Sequence, residues 1–325
     1  MGDESTSLGW VGVGRMGRAL VTRLLEAGHQ VAVYNRTREK ALDLEALGAT
    51  IVDSPADLAD RDIVFTIVAG SADVAEIVDA LLSRPGVQPG LIVDSTTISP
   101  AVAQDIRARA NERGTAMLAA PVSGNPKVAA SGRLTIVASG PEDAWARARP
   151  YLELLCCGVT YVGEGERARL VKICHNLMLG VVAQCMAEVT VLAEKGGVSR
   201  ADFLEFLNDS VMGSTFTRYK SPAYVNLDFT PTFTPELLLK DFHLGFEAAR
   251  EMNVAMPVAA VTEQLVQSLH GMKGNDVDFA ALIELTAAAS GLALEPEDVA
   301  VDDGLSPLPG AGNGAGPTRV STPNA

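Results

Sequence analysis

A glycine triplet near the start of the 325-residue chain constrains the fold more than any other feature. Gly12, Gly14 and Gly17 have the spacing G-x-G-x-x-G and stand between a short apolar run and a segment with helical spacing. In such a strand, turn and helix, the first helical turn presents free backbone N–H groups that can hold a pyrophosphate. The triplet therefore predicts a dinucleotide-binding unit. Its predicted cofactor contacts are Gly12, Val13, Gly14, Arg15, Met16 and Gly17.

The first half of the chain alternates between apolar runs of strand length and segments with helical spacing. The runs are 8–11, 31–34, 63–68, 91–93, 116–119, 134–138 and 159–162. The helical segments are 16–27, 38–47, 72–82, 100–113 and 141–155. Strands that are apolar throughout and separated by helices are typical of a parallel sheet covered on both faces.

The pattern changes after Gly163 and Gly165. Residues 166–195 contain no proline and carry apolar residues at intervals of three and four, which predicts one long helix; helical segments follow at 199–207, 234–252 and 257–270. The predicted fold is α/β, a Rossmann-type doubly wound sheet followed by an all-α C-terminal domain joined through a long interdomain helix. We expect a disordered N-terminus (1–7), a cofactor domain (8–164), a helical domain for substrate binding and oligomerisation (165–301), and a disordered tail (302–325) rich in Gly, Pro, Ser and Thr.

Composition limits the classes of partner and the cellular location. Hydrophobic residues make up 47% and charged residues 20%, as in soluble globular proteins, and the net charge of −14 argues against nucleic acid and anionic membranes as partners. The longest apolar stretch is interrupted by Gln184, Glu188 and Thr190, so we expect no membrane span. Four cysteines without a CxxC spacing predict reduced thiols and a cytoplasmic protein. The scattered histidines predict no metal site.

The residues after the second predicted strand bear on cofactor choice. A site for NAD usually has Asp or Glu there, which accepts hydrogen bonds from the ribose 2′-hydroxyl. This chain has Asn35, Arg36 and Thr37 instead, with Lys40 one helical turn further on. No carboxylate repels a 2′-phosphate at this position, and Arg36 can pair with one. We therefore expect NADP(H) to be preferred over NAD(H).

Lys172 and Asn176 lie one turn apart on the predicted long helix, so they share a face. A partly buried lysine can transfer protons when its pKa approaches the working pH. The spacing alone is equally that of a surface lysine.

Further motifs occur in a fixed order after the glycine loop. They are Asp94-Ser-Thr-Thr-Ile-Ser-Pro100, Ala120-Pro-Val-Ser-Gly124, Gly163-x-Gly165 followed by Lys172-x-x-x-Asn176, and Leu239-Lys240-Asp241. With these motifs, residues 8–290 resemble the β-hydroxyacid dehydrogenase family. This family includes 3-hydroxyisobutyrate dehydrogenases, tartronate semialdehyde reductases and glyoxylate/succinic semialdehyde reductases. The resemblance implies hydride transfer between nicotinamide and a small β-hydroxyacid, semialdehyde or keto acid, which would be a small-molecule carboxylate substrate.

The resemblance also implies roles for single residues. Lys172 would be the general acid/base, and Asn176 would orient it or bind substrate. Ser123 and Gly124 would hold the substrate carboxylate, with Asn125 adding a polar group at the pocket edge. The remaining implied contacts are Thr96 and Thr97 with the nicotinamide ribose or amide, Val68 and Ala69 lining the cofactor, and Lys240 reaching cofactor and substrate.

Some alternatives stay open at this point. His175 stands where many relatives have a second Asn; it could bond to substrate or simply pack, and we expect packing. Imine reductases and non-catalytic NADP-binding relatives are related possibilities, and Lys172 argues against both because both commonly lack the lysine. The apolar long helix and the resemblance together imply a homodimer or homotetramer formed through the helical domain.

Overall fold

The computed structural model describes residues 6–305, and six parallel strands form its main sheet. Their order across the sheet is β3-β2-β1-β4-β5-β6, and all neighbouring pairs are parallel. The strands are β1 Leu8–Val11, β2 Val31–Tyr34, β3 Thr50–Ile51, β4 Ile63–Thr66, β5 Leu91–Asp94 and β6 Ala116–Ala119. The strand order reverses between β1 and β4, which is where open α/β sheets bind ligands. The predicted fold class is confirmed.

Helices cover both faces of this sheet, because the strands are apolar on both sides. These helices are α1 Arg15–Glu26, α2 Ser71–Leu81, α3 Pro100–Glu112, α4 Pro126–Ala130 and α5 Glu142–Leu155. The helix predicted at 38–47 is instead two short 3₁₀ segments, Arg38–Lys40 and Leu42–Leu47. Only Ala41 and Leu44 are buried there, so the segment lacks the apolar face that stabilises an α-helix.

A second, smaller sheet lies beside the main one. It contains β7 Val122–Ser123, β8 Thr135–Ala138 and β9 Gly158–Tyr161. Strand β7 pairs antiparallel with β8, and Ser123 is opposite Thr135. The sequence analysis did not predict β7, because two residues give no periodicity. This strand determines the position of Ser123.

The helical domain begins with α6 Arg167–Lys195, a single helix of 29 residues as predicted. The helices that follow are α7 Arg200–Asp209, α8 Thr215–Asn226, α9 Pro235–Glu251, α10 Pro257–Lys273 and α11 Leu282–Ala289. The sequence analysis missed α8 and α11. Helix α8 contains Pro222, and α11 is only eight residues long. The domain has its own core, in which Phe242 and Tyr224 are fully buried.

Two glycines allow α6 and α9 to pack closely. A Cβ atom on Gly180 would lie 2.7 Å from the Phe242 ring, and one on Gly245 would lie 2.5 Å from Leu177 Cδ1. Neither distance is tolerated in a packed core. The close approach brings Asp241 of α9 beside Asn176 of α6.

The two ends of the described chain are packed against the rest of the molecule. Ser7, expected to be disordered, donates to Asp62 Oδ2 from its backbone N–H at 2.7 Å. Leu305, in the tail predicted from residue 302, is buried, and Arg133 donates to the Gly304 carbonyl. The predictions of disorder for residues 1–5 and 306–325 lie outside the described residues.

Among the described residues, α6 alone is long and apolar enough to span a membrane by length and composition. Half of its most apolar window is buried inside the protein. It packs there against α9 and α11, and Ile173 and Ala187 belong to the helical core.

Candidate active site

Except for Lys240 on α9, the predicted cofactor residues lie on segments that follow the carboxyl ends of parallel strands. The glycine loop follows β1, Asn35 to Thr37 follow β2, Val68 and Ala69 follow β4, and Thr96 and Thr97 follow β5. Because these strands are neighbours, the four segments lie along one edge of the sheet.

The three glycines of the loop meet different structural requirements. Gly12 has φ +95°, and a Cβ there would lie 2.2 Å from the Ile67 carbonyl oxygen; a Cβ on Gly17 would lie 1.9 Å from the Gly12 carbonyl oxygen. Gly14 has open space around it and forms the N-cap of α1, whose first turn has no acidic residue. The loop can therefore receive an anion at Gly14 with no rearrangement of the backbone.

The other residues of the glycine loop differ in exposure. Val13 is buried and Met16 is half-buried. Arg15 is exposed, and its guanidinium donates to the Pro231 carbonyl of the helical domain at 2.6 Å. The loop thus contacts both domains.

The segment after β2 separates into one structural residue and a group of exposed cations. Asn35 Oδ1 accepts from the Val13 N–H at 2.9 Å, and its Nδ2 donates to the Thr37 carbonyl at 2.7 Å, so its side chain shapes the glycine loop. The Arg36 side chain is 81% exposed and lies 3.2 Å from Asp73 Oδ1. Thr37 and Lys40 are also exposed. Arg36 and Lys40 are free to approach a phosphate.

The segments after β4 and β5 are joined through Thr96. Its buried hydroxyl accepts from the Val68 N–H at 3.1 Å. Thr97 is half-buried, and its carbonyl accepts from Lys240 Nζ at 3.3 Å. Lys240 therefore reaches across from α9 to the predicted nicotinamide side of the cleft. Ala69 is exposed at the end of the Val68 segment.

A buried ionic network, which the sequence analysis missed, connects α6 to β5. Arg169 donates to Asp94 Oδ2 at 2.8 Å, to the Thr96 carbonyl at 2.8 Å and to Glu166 Oε2 at 2.7 Å. Arg107 donates to Glu166 Oε1 at 2.6 Å. Arg169 precedes Lys172 by one helical turn, so the network fixes the start of α6 against the loop that carries Thr96 and Thr97. An arginine on an otherwise apolar helix face was the available signal.

Lys172 lies on α6 and is half-buried. The pKa of its ammonium group is lowered from 10.5 to about 8, mainly by burial; the negative charge of Asp241 raises this pKa in part, and the positive charge of Lys240 lowers it. Within residues 6–305, no group forms a hydrogen bond or ion pair with its Nζ. A lysine in this state can exchange a proton near neutral pH.

Asn176, the second predicted catalytic residue, belongs to a chain of hydrogen bonds. Its Nδ2 donates to Asp241 Oδ2 at 2.5 Å, and its Oδ1 lies 2.9 Å from His175 Nδ1. His175 Nε2 lies 2.9 Å from the Ser123 hydroxyl. The expectation that His175 simply packs is therefore wrong, since both ring nitrogens have polar partners and the residue is exposed.

Gly124 and Asn125 follow Ser123 in the small sheet. Gly124 has φ +134° and is exposed, whereas Asn125 is 9% exposed. Asn125 Oδ1 accepts from the Val128 N–H at 3.0 Å and caps α4. Because the side-chain oxygen of Asn125 already caps α4, only its side-chain Nδ2 group is left to contact a substrate. That contact stays a prediction.

In the described part of the chain, no group of three or more His, Cys, Asp or Glu residues could hold a metal ion. His243, one of the other histidines, pairs with Glu263 at 3.4 Å on the surface of the helical domain.

Comparison with known families divides the chain at the same place as the structure. Residues 7–163 match a profile described as the NAD binding domain of 6-phosphogluconate dehydrogenase. Residues 166–286 match one described as the NAD-binding of NADP-dependent 3-hydroxyisobutyrate dehydrogenase. A protein of Arabidopsis thaliana named probable 3-hydroxyisobutyrate dehydrogenase-like 3, mitochondrial, is 36% identical over 267 residues, 81% of each chain.

Two solved structures share both domains. Mycobacterium tuberculosis 3-hydroxyisobutyrate dehydrogenase with L-serine has a TM-score of 0.75 at 29% identity, and covers 86% of this chain and 98% of its own. Psf3 in complex with NADP+ and 2-OPP has a TM-score of 0.74 at 26% identity, covering 86% and 99%.

Proposed function

The chain belongs to the β-hydroxyacid dehydrogenase family and is an oxidoreductase acting on CH–OH groups with a nicotinamide cofactor, and from this premise we propose that it is an NADP(H)-dependent enzyme with Lys172 as its general acid/base. Its substrate is a small β-hydroxyacid, or the corresponding semialdehyde or keto acid. The observation that carries the proposal is Lys172 itself, unpaired among the described residues, with a pKa of about 8, and one helical turn beyond Arg169, which donates to the Thr96 carbonyl.

The chemistry of the site follows from these positions. The bound nicotinamide accepts or supplies the hydride. In oxidation, neutral Lys172 takes the proton of the substrate hydroxyl as the hydride leaves carbon; in reduction, its ammonium form returns the proton to the developing alkoxide. Lys240 donates to the Thr97 carbonyl and keeps a second positive charge close to Lys172. That charge favours the neutral form of Lys172 and attracts an anionic substrate.

Preference for NADP(H) is supported by the cations after β2. Arg36 and Lys40 are exposed at the end of that strand, where a NAD site would have a carboxylate. Arg36 contacts Asp73 only through an exposed pair at 3.2 Å, which a 2′-phosphate can replace at little cost. Psf3, a structural relative, is bound to NADP+.

A small carboxylate substrate is supported by the position of Ser123 and Gly124. Both residues lie on β7 and its following turn, and Ser123 is connected to α6 through His175. The M. tuberculosis relative is described with L-serine, which carries a carboxylate and a β-hydroxyl group.

An imine reductase is the alternative within the same fold. Imine reduction needs the same cofactor loop. The presence of Lys172 argues against it, because imine reductases commonly lack this lysine. Measured reduction of a cyclic imine at a rate above that of every semialdehyde tested would favour the alternative. A non-catalytic relative is disfavoured on the same residue.

A second copy of the chain is the proposed partner in solution. Val171, Met178, Cys185 and Leu192 of α6 are all exposed and lie seven residues apart, which is the spacing of helix pairs that pack along a seam. We expect a homodimer or homotetramer formed through the helical domain. Light scattering tests this proposal, and a monomer at micromolar concentration contradicts it. Met178→Asp should shift an oligomer toward monomer.

Location in the cytoplasm, and the lack of nucleic-acid or membrane partners, stay predictions.

The proposed function is tested by a substrate panel measured with NADP(H) and NAD(H) in parallel. The panel contains 3-hydroxyisobutyrate, glycerate, glyoxylate and succinic semialdehyde, together with bulkier β-hydroxyacids. We expect turnover of at least one of these, with a higher kcat/KM for the NADP(H) reaction. Equal kcat/KM with both cofactors would contradict the proposed preference for NADP(H). No turnover of any compound in the panel would contradict the proposed function as a whole.

A further inference from the structure

The described chain continues beyond its last helix. After α11, residues 291–305 form neither helix nor strand, and we call this segment the C-terminal strap. The strap lies beyond residues 166–286, which match the profile of the helical domain. It carries five carboxylates and no lysine or arginine. The family profile therefore gives no account of what the strap does, and its contacts have to be read from the structure.

The first half of the strap is fixed to the helical domain by a group of polar contacts. Glu297 accepts from the Arg200 N–H at 2.6 Å and from the Ala201 N–H at 3.0 Å, so its carboxylate satisfies two free N–H groups in the first turn of α7. The guanidinium of Arg200 is fully buried and donates to the carbonyls of Val225 and Glu295. The Glu297 N–H donates to the same Val225 carbonyl at 3.2 Å. This half of the strap is part of the packed helical domain.

The middle of the strap is held at exposed positions. Asn226, at the end of α8, donates from Nδ2 to the Val299 carbonyl at 2.8 Å and accepts from the Val299 N–H at 3.3 Å. Val299 and Asp302 are both exposed, and Asp302 Oδ1 accepts from the Gly304 N–H at 2.9 Å, which folds the end of the strap into a turn. Hydrogen bonds at exposed positions open more easily than buried ones.

The far end of the strap reaches the cofactor domain. Arg133, in the turn between α4 and β8, donates to the Gly304 carbonyl, and Leu305 is 7% exposed. The Arg133 N–H donates to the Val128 carbonyl of α4 at 3.1 Å, so the strap is attached to the turn that closes this helix. Helix α4 follows β7, whose Ser123 contacts α6. A segment rooted in the helical domain thus ends on the cofactor domain.

We propose that the C-terminal strap is a releasable tie between the two domains, and that its far end must leave Arg133 before the cleft opens to exchange cofactor. The two attachments differ in the way this role requires. The near end is held by the buried contacts around Arg200, and the far end by the Arg133 side chain and the burial of Leu305. Opening of the domains breaks the contact at Gly304 and leaves the contacts of Glu297 intact. The inference rests on the proposed function for the identity of the cofactor, NADP(H).

The tie can be removed from either of its two sides. A chain that ends at Val301 lacks the Gly304 carbonyl and Leu305, and Arg133→Ala lacks the donor. We expect NADPH to dissociate from each variant about three- to tenfold faster than from the wild type in stopped-flow fluorescence, the size of one partly exposed hydrogen bond. The Arg15 contact with the Pro231 carbonyl remains as a second tie, so the closed state persists. Unchanged dissociation rates in both variants would overturn the inference.

A double-mutant cycle separates a tie from unrelated losses. Because both changes break the same contact, the truncated chain that also carries Arg133→Ala should release NADPH no faster than either single variant. Effects that multiply would overturn the inference.

Two controls match these variants. A chain ending at Leu305 keeps the strap, and Arg149→Ala removes an exposed arginine of the cofactor domain that pairs with Glu153. Both should release NADPH at the wild-type rate. An equal acceleration in either control would overturn the inference.

A measurement without ligand distinguishes failure of the inference from failure of the proposed function. In Arg133→Ala, hydrogen exchange should become faster at the backbone N–H groups of Gly304 and Leu305, while the Arg200 N–H stays protected by Glu297. Exchange that is unchanged at the far end would overturn the inference alone. A wild-type protein that shows this pattern but binds no NADP(H) would overturn the proposed function and support the tie.

Discussion

The glycine loop and the junction of α6 with α9 use their residues in opposite ways. In the loop, the proposed binding of an anion relies on the backbone: Gly14 leaves open space, and the first turn of α1 has no carboxylate to repel an anion. At the junction, the proposed chemistry relies on side chains that are already bonded to each other, from Ser123 through His175 and Asn176 to Asp241. Lys172 is the exception there, with no bonding partner among the described residues.

This difference separates the proposed binding of cofactor phosphate, at the loop, from the proposed proton transfer, at the junction. A binding loop that recognises a phosphate needs exposed N–H groups and tolerates solvent. A proton-transfer site needs a defined charge environment, which buried and mutually bonded side chains supply. A variant in the loop should therefore affect cofactor affinity or stability, and a variant at the junction should affect turnover and its pH dependence.

The strongest test of this division is Lys172→Ala. Loss of a general acid/base reduces turnover by about 10²–10⁴-fold. The dissociation constant of NADPH, measured by fluorescence titration, should remain close to the wild-type value because no cofactor contact is lost. Turnover within about tenfold of wild type would contradict the assignment. Partial recovery of activity with an added primary amine would support it further.

Within the loop, Gly17→Ala and Gly14→Ala form a matched pair. The Cβ on residue 17 collides with the Gly12 carbonyl, so we expect the free energy of unfolding to fall by about 3 kcal/mol. The Cβ on residue 14 meets no atom within 4 Å, so the melting temperature without cofactor should hardly change while cofactor affinity decreases. Equal loss of stability in both variants would contradict this account of the loop.

A smaller and more selective effect is expected from Arg36→Ala. Loss of a charged hydrogen bond to the 2′-phosphate should weaken NADPH binding by about 2 kcal/mol, or roughly thirtyfold, and leave NADH binding unchanged. Arg38→Ala is the control, because Arg38 is a neighbouring exposed cation that pairs with Asp53. An equal loss for both cofactors would show that Arg36 does not read the phosphate.

The smallest effects are shifts in the pH profile at the junction. Oxidation requires neutral Lys172, so kcat/KM should rise with pH and level off above about 8, and reduction should fall over the same range. Removing the positive charge in Lys240→Met should move this midpoint to higher pH. Removing the negative charge in Asp241→Asn should move it to lower pH. Shifts in the same direction for both variants would contradict a role for these charges.

The two regions also differ in how far the sequence predicts them. The strand, glycine loop and first helix are contiguous, so the spacing of Gly12, Gly14 and Gly17 was enough to predict their arrangement. The prediction of an α-helix at 38–47 was wrong, because the spacing of apolar residues does not show how many of them are buried in the fold. Asn125 illustrates the same limit, since a polar residue next to a site can be a helix cap.

At the junction, the sequence identified Lys172 and Asn176 but not their surroundings. Ser123 and His175 are 52 residues apart, and Asn176 and Asp241 are 65 residues apart. No local pattern encodes such pairs, because they depend on the close packing of α6 with α9 and on a two-residue strand. Arg169 on an otherwise apolar helix face was the one signal of the ionic network, and its partner Asp94, 75 residues away, could not be identified for the same reason.

The ionic network of Arg169 anchors α6 at its N-terminal end, close to Lys172. Arg169 is held to Asp94 and the Thr96 carbonyl, while Lys172 lies only about 4.5 Å further along the axis and the far end at Lys195 about 39 Å further, at 1.5 Å per residue. A 10° swing of the helical domain about this anchor would move the far end by about 7 Å but Lys172 by less than about 1 Å. A swing of that size would therefore leave Lys172 almost in place beside Arg169 while the far end of α6 moved.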